Sequence, residues 1–139
     1  MVKIVSGIYN RFKANLLNKV VDLEADTIKV ALLDNSHSFS AANTAWNAAL
    51  STNEVSGTGY DAGGTTLANK SVTEAVTTKF DADNSVWTIT GSLSAYHAVL
   101  YDSTAASNLI ASVDFGSVKT ATDGTFTIAW NADGILTLN

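Results

Sequence analysis

The chain of 139 residues has no cysteine, no proline and a single methionine. Without cysteine there is no disulfide framework, no thiol nucleophile and no zinc knuckle, and the compartment is left open. Proline at its usual ~5% would contribute about seven residues. Its absence leaves every turn to Gly, Asn, Asp or Ser. Charge is also scarce: Asp, Glu, Lys and Arg make up 15% of the chain, against ~25% in an average globular protein. No apolar run approaches the ~18 residues of a membrane-spanning helix. The opening MVKIVSGIYNRFKANLL sets one lysine before a very short apolar stretch. It lacks the apolar segment of ~7–15 residues that marks a secretory signal, so none is expected.

The residues that are present describe a globular domain. Apolar types reach 46%, which excludes disorder. A mass of 14.5 kDa implies ~6,900 Å² of folded surface against ~21,000 Å² unfolded. A single domain over residues 1–139 with a core of its own is the expectation. The net charge of −5 is unevenly spread. Up to Lys29 there are five basic residues and three acidic ones, a balance of +2; the remainder has three basic and ten acidic residues, a balance of −7. So acidic a body repels phosphate backbones, and nucleic acid is not an expected partner. Abundant Thr, Ser, Ala and Asn give a neutral polar surface, suited to packing among many copies and equally to a secreted β module.

Periodicity separates a helical start from a β-rich remainder. Ser6 can cap a helix. Ile8, Phe12 and Leu16 then recur at every fourth position, and Tyr9, Leu17 and Val20 widen the stripe. This predicts an amphipathic helix from Gly7 to Lys19 lying on a sheet. Ile28 to Leu33 alternates as a strand. Ala41 to Leu50 predicts a short helix, and NEVSGTGYDAGG (53–64) a flexible glycine-rich loop. Further strands are expected at Thr66–Val72, Val76–Asp81, Val86–Ile89, Ser94–Tyr101, Leu109–Phe115, Thr125–Trp130 and Ile135–Leu138. Asp123-Gly124 is a hairpin signal. The expected fold is mainly β (α+β): an antiparallel β-sandwich or barrel with the N-terminal amphipathic helix packed on it.

No motif carries chemistry. Gly57-Thr58-Gly59-Tyr60-Asp61-Ala62 fits the dinucleotide fingerprint in letters, but the following segment reads as strand where that fingerprint requires a helix. Asp81-x-Asp83-Asn84 and Asn131-x-Asp133-Gly134 hint at calcium loops. The first has Ser92 where the closing glutamate is needed, and the second runs out of chain. Asx turns explain both. His37 falls in a turn and His97 in mid-strand, with no second ligand at zinc spacing and no nucleophile elbow. Both are expected to be structural. No catalytic, cofactor or metal residues are therefore assigned, and an enzyme is not expected. Trp87 and Trp130 are expected in the core. Trp46 and Tyr60, in less regular segments, are the partner-contact candidates.

The order of segments is more informative than any one of them. It runs IYNRFK (8–13), DTIKVALLDNSHSF (26–39), NEVSGTGYDAGGTTLANKSVT (53–73), AVLYD (98–102), IASVDFG (110–116) and DGTFTIAWNADGILTL (123–138). This series resembles a family of small virion structural proteins of tailed bacteriophages. The resemblance implies a head decoration (cement) protein. Such a protein is made in the host bacterial cytoplasm and sits on the capsid exterior. It binds the major capsid protein as a homo-oligomer, with a trimer favoured and a dimer as the alternative. A tail or adaptor component of the virion is the second expectation, and a carbohydrate- or receptor-binding β module the third. The family supplies no catalytic residues or cofactors, and neither nucleic acid nor membrane is an expected partner.

Overall fold

The computed structural model describes residues 1–139. Two short strands, β1 (Val2–Lys3) and β2 (Gly7–Ile8), precede helix α1 (Asn10–Leu17). Strand β3 (Ile28–Leu33), the single turn α2 (Ala48–Ser51), β4 (Thr65–Thr66), β5 (Ser71–Thr73) and β6 (Thr78–Asp81) follow. Two long strands come next, β7 (Ser85–Asp102) and β8 (Asn108–Trp130), and β9 (Leu136–Leu138) comes last. The chain is mainly β, as its alternation predicts. The larger sheet runs β1-β8-β7-β3-β4, with β2 also paired to β8; β5-β6-β9 form a second sheet. β1 joins β8 in parallel, and the other pairs are antiparallel. The larger sheet ends on β1 and β4 and does not close into a barrel.

Where the sequence predicts four strands between Val86 and Trp130, the structure has two. The expected hairpin at Asp123-Gly124 is a bulge instead. Asp123 has φ 45° and Gly91, on the facing strand, φ 79°, and the Gly91 amide donates to Asp123 Oδ1 at 2.8 Å. The left-handed conformation that these residue types accept can kink a ladder as well as reverse it. A second irregularity sets Phe115 to Val118 opposite Tyr96, between the pairs Ala95–Lys119 and His97–Asp114. The reversal itself lies between Asp102 and Asn108. There Asp102 Oδ1 accepts from the amides of Thr104 (2.9 Å) and Ala105 (3.1 Å), and Ala106 and Ser107 take φ of 51° and 53°.

The β3–β7–β8 sheet is covered on both faces. Ile28, Val30 and Leu32 join Phe12, Trp87, Leu100 and Ile128 in the main core. Ala31 and Leu33 face the other way, packing with Tyr9, Leu50, Val99 and Leu109. Burial on both sides explains why IKVALL and AVLY are nearly continuous apolar runs. Phe80 of β6 and Leu136 of β9 belong to the main core, so the two sheets share it. The accessible surface of 6846 Å² matches the ~6,900 Å² of a folded monomer of this mass, so no arm extends from the body.

The N-terminal helix is shorter than its pattern. Gly7 and Ile8 pair with Ser112 and Ala111 of β8, and the Ser6 hydroxyl accepts from the Asp114 amide at 2.9 Å instead of capping a helix. Tyr9 is the extended N-cap and makes no side-chain cap bond. A ladder with an existing strand outcompetes the first turn of a helix, whose nucleation is unfavourable. Phe12 and Asn15 are buried, whereas Leu16, Leu17 and Val20 lie at the surface. The expected strand Thr66–Val72 breaks at Asn69 (φ 52°) into β4 and β5, which belong to different sheets. The expected helix over Ala41–Leu50 shrinks to α2, whose cap is Asn47 accepting from the Ala49 amide at 3.0 Å.

Phe12 is 3% exposed and Leu17 89%. Phe12→Ala should therefore cost about 3–5 kcal/mol, and Leu17→Ala less than about 0.5 kcal/mol. Thermal melting of both variants checks this; equal melting temperatures would remove Phe12 from the core.

Candidate functional site

The glycine-rich loop is not flexible but tied down along its length. Glu54 Oε1 accepts from the Tyr60 hydroxyl (2.7 Å) and from the Gly63 amide (2.6 Å). The Tyr60 oxygen in turn accepts from the Leu32 amide of β3 at 2.9 Å. The Tyr101 hydroxyl donates to the Gly63 carbonyl at 2.6 Å. Burial, foremost, pushes the Tyr60 hydroxyl well above its ordinary range, and Glu54 adds to the shift. The glycines permit the approach. A Cβ at Gly64 (φ 80°) would stand 1.9 Å from the Val30 carbonyl oxygen, and one at Gly59 (φ 98°) 1.8 Å from that of Thr88. The loop thus lies directly on sheet backbone, which only glycine allows. It is also not a nucleotide-binding turn, since β4 follows it and no helix does.

Of the two contact candidates, Tyr60 is buried at 7% exposure, its ring beside Trp87 and its hydroxyl satisfied. A residue held in this way has no surface to offer. Trp46 is half-buried and stacks nearly parallel on Tyr101, with ring centres 5.3 Å apart and planes at 8°. One of its ring faces is therefore covered. Trp87 and Trp130 are in the core, as expected.

The two histidines, 60 residues apart in the chain, meet. Leu33 of β3 pairs with His97 of β7, and the turn after β3 brings His37 back over it. That turn is held by Asp34, whose Oδ1 accepts from the Ser36 amide at 2.7 Å. The imidazole centres lie 5.1 Å apart at 72°. Asp114, the β8 partner of His97, puts Oδ1 4.0 Å from His97 Nδ1, beyond hydrogen-bond reach. The surrounding pocket, about 420 Å³, is lined also by Ser6, Ser38 and Ser112. Burial, with His97 alongside, lowers the His37 pKa, and Asp34 opposes the shift. The sequence could not show this meeting, because it depends on the β3–β7 register.

A second concavity, about 660 Å³, opens between α1 and the smaller sheet. Phe12, Leu23 and Phe80 form its floor, and Leu16, Val20 and Leu138 its rim. Leu17, on the same helix, and Val76, in the turn between β5 and β6, do not line it and are 89% and 98% exposed. The sequence signal was the width of the α1 stripe: Leu16, Leu17 and Val20 continue an apolar face that the sheet does not cover.

One buried carboxyl is perturbed. Asp102 is 1% exposed and its Oδ2 has no hydrogen-bond partner. Burial, and then the neighbouring Asp26 carboxyl, push its pKa up to about 6. Its role in the β7–β8 turn accounts for its position. No three His, Asp or Glu side chains are arranged to hold a metal ion. Comparison with protein-family models, with curated proteins and with solved structures finds no match.

Two outcomes follow from this geometry. Gly64→Ala should prevent normal folding, since Val30 backbone must move. Gly91→Ala meets no atom within 4 Å and should cost only the left-handed strain, about 1–2 kcal/mol; circular dichroism and melting distinguish the two. Asp102 has a raised folded pKa, so its stabilising contribution is complete below about pH 4 and lost as pH rises through about 6. Asp102→Asn should abolish this pH dependence, on the order of 1–2 kcal/mol, in denaturant titrations run between pH 4 and pH 8. A wild-type slope retained in the variant would assign the titration to another group.

Proposed function

We propose that the protein is a structural component of a tailed-phage virion, and specifically a head decoration protein that binds the assembled major capsid lattice from outside. The observation that carries this reading is the apolar groove beside α1, together with the almost fully exposed Leu17 of that helix and Val76 of the β5–β6 turn. On a chain with so little charge, such a surface marks a protein contact. The ordered segments that resemble small phage virion proteins supply the kind of assembly. In this reading the two sheets form an open sandwich that α1 flanks, and the protein acts mechanically, without catalysis or cofactor. A standard interface is roughly 800 Å² per partner. One contact of that size can be weak, whereas a homo-oligomer, a trimer before a dimer, engages several capsid subunits at once and gains from effective concentration. Binding the mature shell alone then stabilises it by mass action.

Particles lacking the protein should assemble but release DNA at lower temperature than complete ones. Purified protein added back should restore heat resistance, and Leu17→Asp, folded but with its apolar contact removed, should not. Equal heat stability with and without the protein, or immunolabelling confined to the tail, would overturn the decoration reading. The second result would put a tail component in its place.

A further inference from the structure

We propose that His37 and His97 together form a binding site for one late first-row transition-metal ion of the Zn²⁺, Cu²⁺ or Ni²⁺ type. The proposal is independent of any role in a virion. His37 is 6% exposed and its Nε2 is buried with no hydrogen-bond partner. Buried polar atoms are nearly always paired, so one left over in a polar pocket asks for a ligand. The second imidazole stands beside it with its ring centre 5.1 Å away. Zinc–imidazole bonds are ~2.0–2.1 Å, and two rings on one tetrahedral ion then have their centres about 5 Å apart. Imidazole nitrogen is the donor these ions prefer, whereas Mg²⁺ and Ca²⁺ require sets of oxygens.

The protein supplies two ligands and the pocket supplies room for the others. Its volume of about 420 Å³ accommodates an ion with water in the remaining positions. The hydroxyl-bearing Ser6, Ser38 and Ser112 line the same space and can hold that water. Asp114 is 62% exposed at its side chain and 4.0 Å from His97 Nδ1. There, without a hydrogen bond to His97, it offsets the ion's charge. Each ligand sits on a defined element: His97 is in the paired part of β7 beside its bulge, and His37 is in the turn that Asp34 closes. With only two protein ligands the site is a moderate binder, in contrast to the four-ligand structural zinc sites.

The presence of only two histidines in the chain makes the test direct. Substoichiometric CuCl₂ added to the wild-type protein should broaden the ring-proton NMR signals of both histidines together, before any other resonance. Calorimetric titration with ZnCl₂ should give one equivalent bound, with affinity at least tenfold weaker in His37→Gln and in His97→Gln and only a few-fold weaker in Asp114→Asn. Zn²⁺ should raise the wild-type melting temperature, and EDTA should reverse the rise. Broadening of a single histidine, or zinc affinity unchanged in the double variant H37Q/H97Q, would overturn the proposal. The NMR measurement uses unaltered protein, so a misfolded variant does not weaken it.

Discussion

The fold depends on the antiparallel pairing of β7 with β8. Ser85 pairs with Ile128 at one end of this ribbon and Asp102 with Asn108 at the other. The other strands of the larger sheet build outward from these two: β3 docks on β7 and carries β4 on its far edge, while β1 and β2 dock on β8. This long ladder would carry one continuous twist from end to end if it were regular. Its bulges at Gly91/Asp123 and around Tyr96 bend it instead, so that Trp87, Phe126 and Ile128 on one part and Leu100, Ile110 and Val113 on another reach the same core.

β3 connects this frame to the rest. Both of its faces are buried, and its free edge takes β4 and, just before it, the end of the loop from Asn53 to Gly64, where Gly64 lies directly against the Val30 carbonyl. Glu54 then joins loop and sheet through Tyr60 and Gly63. Glu54 is half-buried, and the two hydrogen bonds it accepts offset the loss of water around its carboxylate. The loop is thus bound to the strand it crosses, and exposed apolar side chains lie elsewhere, on α1 and in the turn between β5 and β6, where Leu17 and Val76 stand out in solvent.

The β class, the strand Ile28–Leu33 and the burial of Trp87 and Trp130 were legible because alternation and residue type act locally. What the sequence hid was decided at long range. Asp123-Gly124 satisfies the chemistry of a turn and of a bulge equally, and only the partner strand selects between them. Gly7 and Ile8 carry a helical pattern, yet β8 offers them a ladder. Tyr60 lies in a loop, a position that suggests exposure, but the surrounding glycines bring its ring down into the core. The pairing of His37 with His97 could be read only once Leu33 was known to face His97.

The parallel strand β1 has a consequence for how the protein comes into being. Val2 takes its place beside Ala129, and Lys3 beside Trp130. Val2 and Lys3 must therefore wait for residues 127 positions later in the chain before they find their neighbours. Neither a nascent helix nor a local hairpin can stand in for that contact, so the sheet is completed only after both segments have been synthesised. Contacts of such sequence separation are slow to form. A chain that waits in this way, with β8 lacking its edge partner, is exposed to mispairing with its own copies during the delay.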